Sequence, residues 1–138
     1  MGAWGYGLFD DDTAMDAVDA MQYEENPYEF FADAFEDAII AEHLDYDSCH
    51  AVIVSAAYMD AMLNGTEYPI EGSEDADYFN SFAKKHIALN VIDLKPFARQ
   101  ALQVVLSDKS ELNELWAENE ELYPLWKANV EGLVERLK

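Results

Sequence analysis

Lysine and arginine are missing from the first 83 residues, a stretch that holds twenty aspartates and glutamates. The first basic residue is Lys84, and the last 55 residues carry all eight Lys/Arg against nine acids. The formal charge of −21 at pH 7 therefore belongs to the first three-fifths of the chain. A face built from that stretch repels nucleic acid and anionic membrane and attracts cations, whether metal ions or a basic protein. Cys49 is the single cysteine, so no internal disulfide can form and a reducing compartment suits the chain. No apolar run approaches the roughly 18 residues of a membrane span, and no basic segment opens the sequence as in a secretory signal. No alternating apolar–polar run reads as a strand. These absences lead to the expectation of a soluble, cytoplasmic protein of bacterial type.

Core material is plentiful. Of 138 residues, 51% are apolar and 13% aromatic, which separates this acidic chain from disordered acidic chains poor in both. The length suits one domain, residues 1–138, with an acidic part (1–83) and a near-neutral part (84–138). Residues 1–9 form a glycine- and aromatic-rich strap, for which Trp4, Tyr6 and Phe9 offer pinning area. Asp10 to Asp12 then cap a helix running to about Glu25, with Ala14, Met15, Val18 and Met21 inward. Asn26-Pro27-Tyr28-Glu29 is a start signal: a capping Asn, Pro at the first helical position and Glu three residues after the cap. That helix is expected to run to about His43 and to bury Phe31, Phe35, Ala38 and Ile39, with Tyr28 as a further candidate.

Asp47 is expected to cap the next helix, about 48–63, which is apolar nearly all round and so belongs at the centre of the bundle. Asn64-Gly65 ends it, and 65–73 reads as a loop. A fourth helix is expected over about 74–89 with Phe79, Phe82 and Ile87 inward. Asp93 caps a fifth over about 94–106, Pro96 lying in its first turn. Asp108 to Glu111 gives a capping signal for a short helix to about Asn119. The last helix, about 122–137, carries Trp126, Val130, Leu133 and Leu137 at intervals of four, three and four, the spacing of one helix face. The fold class is all-α, an irregular bundle of six or seven helices with an N-terminal Gly/aromatic strap.

Two acidic stripes stand out. Asp12, Asp16 and Asp19 recur four and three residues apart, as do Glu29, Asp33 and Glu36, with Asp37 alongside. Like charges at these spacings each cost a helix a few tenths of a kcal/mol, about 0.2–0.5 per pair, and a cationic partner relieves that cost. The plain alternative is a solvated face. A metal site is a weaker reading. His43, Asp47 and His50 flank one turn, yet their spacing matches neither a zinc pattern nor the paired motifs of di-iron bundles. Asp10 to Asp16 lack the alternating donors and central glycine of a calcium loop. No strand precedes Gly5-Tyr6-Gly7 and three aspartates follow it, which rejects a phosphate loop. Cys49 lies among negative charges that suppress its thiolate, so it reads as a small core residue. Trp116 and Trp126 sit on amphipathic stripes and read as core. Nothing in the sequence is an enzyme signature, and no cofactor is implied.

The opening Met1-Gly2-Ala3-Trp4-Gly5-Tyr6-Gly7-Leu8-Phe9-Asp10-Asp11-Asp12-Thr13-Ala14 resembles the start of a bacterial family known as domain of unknown function 4259. Its members begin M-G-x-W-G-x-G-x-F-[DE]-[ND]-D-x-A. Further likeness lies in Leu102 to Leu106, Ser110-Glu111-Leu112-x-x-Leu115-Trp116 and Trp126, and more loosely around Leu44-Asp45 and the helix to Gly65. Segment 66–92 fits least. The resemblance implies a small helical protein with no established activity and no catalytic residues to carry over. By charge and size alone, small acidic proteins of this kind are often suspected immunity proteins for secreted toxins.

The leading expectation is a non-enzymatic protein that docks on a basic protein through Asp12, Asp16, Asp19, Glu29, Asp33, Glu36 and Asp37, with Tyr23 or Tyr28 as rim anchors. Two alternatives stay open: a metal-binding bundle or enzyme built on the His43–His50 turn, and a structural or assembly domain whose charge is solvation only.

Overall fold

The computed structural model describes residues 3–21, 23–70, 73–86 and 89–138, with 73–75 described by backbone alone. Ile87, expected inside, lies outside the described residues, as do Met1 and Gly2 of the opening motif. The described residues form seven α-helices and no strand: α1 Asp12–Met21, α2 Pro27–Ile40, α3 Tyr46–Asn64, α4 Ser73–Lys85, α5 Lys95–Val105, α6 Glu111–Ala117 and α7 Tyr123–Arg136. A 3-10 turn, Ile92–Leu94, leads into α5. Side chains from all seven helices join one buried apolar cluster.

Helix α3 organises that cluster. It packs against every other helix, and each side chain from Val52 to Met62 is buried. A helix surrounded on all sides has no face to give to water, which is why its sequence shows no polar stripe. Asn26 caps α2 through its side-chain oxygen, which accepts from the Glu29 amide at 3.2 Å. Gly65 closes α3 with φ +73°, the left-handed region that a Cβ disfavours, and its amide donates to the Ala61 carbonyl. Ser110 caps α6 by accepting from the Asn113 amide at 3.1 Å. On α7, Trp126, Val130, Leu133 and Leu137 are all buried, and Trp126 stacks on Trp116 at 5.9 Å between ring centres.

Several expected boundaries and caps are corrected. Helix α1 stops at Met21 rather than near Glu25, and α2 at Ile40 rather than His43. The cap of α3 is Asp45, whose Oδ1 accepts from the Ser48 amide at 2.8 Å, so Asp47 falls inside the first turn. Asp93 caps nothing. Its Oδ2 accepts from the Tyr28 hydroxyl at 2.6 Å, and the 3-10 turn takes over the entry to α5. The fourth helix ends at Lys85, short of Leu89. In the strap, Leu8 and Phe9 are buried, whereas Trp4 (49%) and Tyr6 (43%) stay substantially exposed. The strap is held by backbone instead. The Trp4 amide donates to the Asp10 carbonyl at 2.9 Å, and Asn129 Nδ2 donates to the Tyr6 carbonyl at 2.9 Å.

Burying α3 all round forces Asp60, fully inaccessible, to find its partners inside. Arg136 Nε of α7 lies 2.7 Å from its Oδ2, the Tyr68 hydroxyl donates to the same oxygen, and Asn64 Nδ2 donates to Oδ1 at 2.7 Å. Burial alone raises the Asp60 pKa, but donation from Asn64, Tyr68 and Arg136 reverses this and holds it below the usual carboxylate range. Removing the carboxylate takes the shared acceptor from the Tyr68 phenol and from the Arg136 guanidinium, which is itself 38% exposed. Asp60→Ala is expected to lower the unfolding free energy by about 3 kcal/mol in urea titrations near neutral pH. A loss under about 1 kcal/mol would mean that the Arg136 network contributes little to holding α7 on α3.

Candidate functional site

The strap and α3 build the most enclosed polar cluster. Backbone in the strap curls over the Asp10 side chain, whose Oδ2 accepts from the Gly7 amide at 3.1 Å. A Cβ on either Gly5 or Gly7 would stand 2.6 Å from that oxygen, so a side chain at either position pushes the Asp10 carboxylate off its bond to the Gly7 amide. The next residue, Asp11, turns inward. Its Oδ1 accepts from the Thr13 amide at 2.7 Å, and its Oδ2 accepts from the Tyr46 hydroxyl and lies 3.3 Å from His50 Nε2. The Tyr46 and His50 rings tilt against each other at 4.9 Å. Burial raises the Asp11 pKa. The His50 ring beside the carboxylate, the Tyr46 hydroxyl and the Thr13 amide outweigh this and bring the value down to about 2.

A carboxylate, an imidazole and a phenol in contact are catalytic groups by type. Here the Asp11 and His50 side chains are each only 4% exposed, so the pair meets no solvent-borne substrate. It pins the strap to the first turns of α3. The expected turn cluster is therefore taken apart: His50 points at Asp11, while His43 is exposed 3.8 Å from Glu111 Oε2 and Asp47 is exposed. Among the described residues no group of three or more His, Cys, Asp or Glu side chains is placed to hold a metal ion. Cys49 is buried with Sγ 3.2 Å from Ser110 Oγ, and burial pushes its thiol pKa up, an unreactive setting.

The acidic stripes are where the spacing puts them, on the outer faces. Asp12, Asp16 and Asp19 are exposed on α1, and Glu29, Asp33, Glu36 and Asp37 are exposed on α2. The close acid–base contacts among the described residues join His43 to Glu111, His50 to Asp11, Arg136 to Asp60 and Lys138 to Glu135. None of them uses Asp12, Asp16 or the four α2 carboxylates. Lys84, Lys85 and Lys95 are likewise outside these pairs, and Arg99 donates to the Leu137 carbonyl at 2.7 Å. The stripes lie on separate supports: α1 packs on α3 and α4, α2 on α3 and α5. Each stripe is brought together along its own helix.

Sequence reasoning missed what lies beside the α2 stripe. An open cavity of about 430 Å³ runs between α2 and α5, lined by Tyr28, Ala32 and Ile39 on one side and Leu94 and Phe97 on the other. Glu36 is the one charged side chain in its lining. The signal was present: residues 28, 32, 36 and 39 recur at helical spacing next to the acids, but a half-apolar edge of this kind reads as core margin. A second cavity of about 420 Å³, between α1 and α4, is lined by Tyr23, Glu24, Lys85 and His86 among others and mixes both signs of charge.

A sequence model of the family described as Domain of unknown function (DUF4259) matches residues 2–129. No curated protein and no solved structure matches the chain.

The Asp11 pin makes a pH prediction. A folded-state pKa of about 2, below the usual carboxylate value, stabilises the fold above the unfolded pKa, and this is lost as pH falls through the folded one. Asp11→Asn should therefore be less stable than wild type by about 2 kcal/mol at pH 6, with the gap closing between about pH 4 and pH 2. Parallel urea midpoints across that range check it, and a gap that does not change with pH contradicts it.

Proposed function

We propose that this chain, which belongs to the DUF4259 family, is a non-catalytic binding protein that docks a basic protein on its α1 and α2 carboxylates. The observation that carries the reading is the state of the α2 row. Glu29, Asp33, Glu36 and Asp37 lie exposed along one helix, and no lysine or arginine of the chain pairs with them among the described residues. Holding such a row together costs a few tenths of a kcal/mol per neighbouring pair, about 0.2–0.5, and a cationic surface returns that cost on contact. Steering by a net charge of −21 also speeds association with a basic partner. In its most economical form the protein is an immunity-type inhibitor, its carboxylates standing in for phosphates on the nucleic-acid-binding surface of a basic toxin. The setting is a bacterial cytoplasm. Tyr28, at the edge of the α2–α5 cavity, and Tyr23, 80% exposed, supply aromatic contact at the rim.

The enclosed Asp11–His50 pair supports a structural role better than a reacting one, and the separation of His43 from His50 weakens a metal centre at that turn. The test replaces all seven carboxylates by amides (D12N, D16N, D19N, E29Q, D33N, E36Q and D37N). Immobilised wild-type protein should retain a basic protein from lysate of the source cells, release it between roughly 0.15 and 0.5 M salt, and lose it in the seven-amide variant. Retention of the same proteins by both forms would mean that the charge serves solvation only.

A further inference from the structure

We propose that the groove between α2 and α5 seats one face of a cationic amphipathic helix of the partner protein. This rests on the acidic docking reading above and names the chemistry of its contact. The groove is long and apolar. Its α2 wall runs from Tyr28 to Ile39, a rise of about 16 Å, close to three helical turns. Phe97 on the opposite wall is 52% exposed, although the groove beside it has room for a large side chain. Ile92, next to Asp93, and Ile40, next to Ile39, leave further apolar surface exposed near the two ends.

The charge around the groove selects the occupant. Glu36 sits in the lining, Glu29, Asp33 and Asp37 follow the same helix one residue away from the groove positions, and Asp93 is fixed at one end by the Tyr28 hydroxyl. The cations of α5 are Lys95 and Arg99, neither in the lining, and Arg99 is committed to the Leu137 carbonyl. A second copy of this chain would bring another −21 charge to a carboxylate row, which opposes self-association. The recognition mode follows from the walls. Both are helices whose backbone groups bond internally, so they offer no edge for an extended strand, whereas an amphipathic helix fills such a groove through its side chains. Apolar residues of the guest lie between Tyr28 and Phe97, and its Lys or Arg residues, one helical position away, meet Glu36 and Asp33.

The test uses three labelled peptides of about 14 residues, roughly four turns: Leu/Lys with its leucines on one helical face, Leu/Glu of the same pattern, and Lys/Gly without an apolar face. Fluorescence anisotropy should show wild type binding Leu/Lys at least about tenfold more tightly than Lys/Gly, and Leu/Glu not at all. Phe97→Ser and the groove-filling Ala32→Trp should each weaken Leu/Lys by about tenfold and leave Lys/Gly unchanged. Circular dichroism confirms that each variant is folded, and amide shifts on adding Leu/Lys should concentrate on α2 and α5. Equal affinity for Leu/Lys and Lys/Gly, or insensitivity to both groove variants, overturns the groove. If the seven-amide variant still abolishes peptide binding in that case, acidic docking survives without it. Binding of Leu/Glu as tight as that of Leu/Lys overturns the cationic guest and the acidic reading together. A wild-type dimer in sedimentation that Phe97→Ser splits assigns the groove to a second copy and overturns the proposal.

Discussion

Burial of α3 on every side is the constraint from which most of this structure follows. The Tyr58 hydroxyl of α3 is buried without a partner among the described residues, whereas a carboxylate or imidazole on a helix with no solvent face is stabilised where other elements carry partners in to it. Two such places exist. Near its start His50 meets Asp11 and Tyr46, and near its end Asp60 meets Arg136 and Tyr68. Each is a carboxylate, a nitrogen base and a phenol, and each ties a remote part of the chain to the central helix: the strap at one end, α7 at the other. Contacts to a buried carboxylate are weak sources of net stability, but removing one partner is costly. Their effect is to fix which segment docks where.

The same constraint shapes the surface charge. Of the few cations, Arg136 is drawn to Asp60 and so ties α7 to α3, and Arg99 to the carbonyl of Leu137 and so ties α5 to the end of α7. Arginine suits both tasks, because its fork of donors serves a carboxylate or a carbonyl from a fixed geometry. Among the described residues no lysine pairs with the carboxylates on the outer faces of α2 or with Asp12 and Asp16 of α1 either. The carboxylates there face water at spacings that repel one another, while the apolar positions of the same helices face α3.

Local rules were legible wherever they were decided locally. Asn26 with Pro27, Gly65 and Ser110 end or start helices because a cap is satisfied within a few residues. The central place of α3 was legible because composition alone denies it a polar face. Where two residues compete for one task, sequence gave the wrong winner. Asp45 takes the cap expected of Asp47, and Asp93 leaves its cap for the Tyr28 hydroxyl 65 residues away. The two contacts made by buried carboxylates were not legible either. Asp11 and His50 stand 39 positions apart and Asp60 and Arg136 stand 76 apart, and no periodicity connects them. Trp4 and Tyr6 show a related limit: aromatic area makes pinning available, but the strap is already held by its backbone bonds and by Phe9.

The stretches that carried the family resemblance meet in space. Leu44 exchanges backbone bonds with the segment around Ser110, its amide donating to the Lys109 carbonyl at 2.8 Å and its carbonyl accepting from the Glu111 amide at 2.9 Å. Cys49 touches Ser110, the Glu111 carboxylate accepts from the Tyr46 amide, and Tyr46 in turn bonds Asp11 of the opening motif. The motif residues therefore form a chain of contacts from the strap, across the start of α3, to the start of α6. These contacts account for their residue types structurally: glycines for the fold over Asp10, a serine that caps and meets a thiol, carboxylates that accept from amides. The α2–α5 groove and the acidic row lie outside that chain. A structural centre built from the motif and a separate exposed face with its own apolar trough is the arrangement expected when a scaffold and the surface it presents answer to different demands.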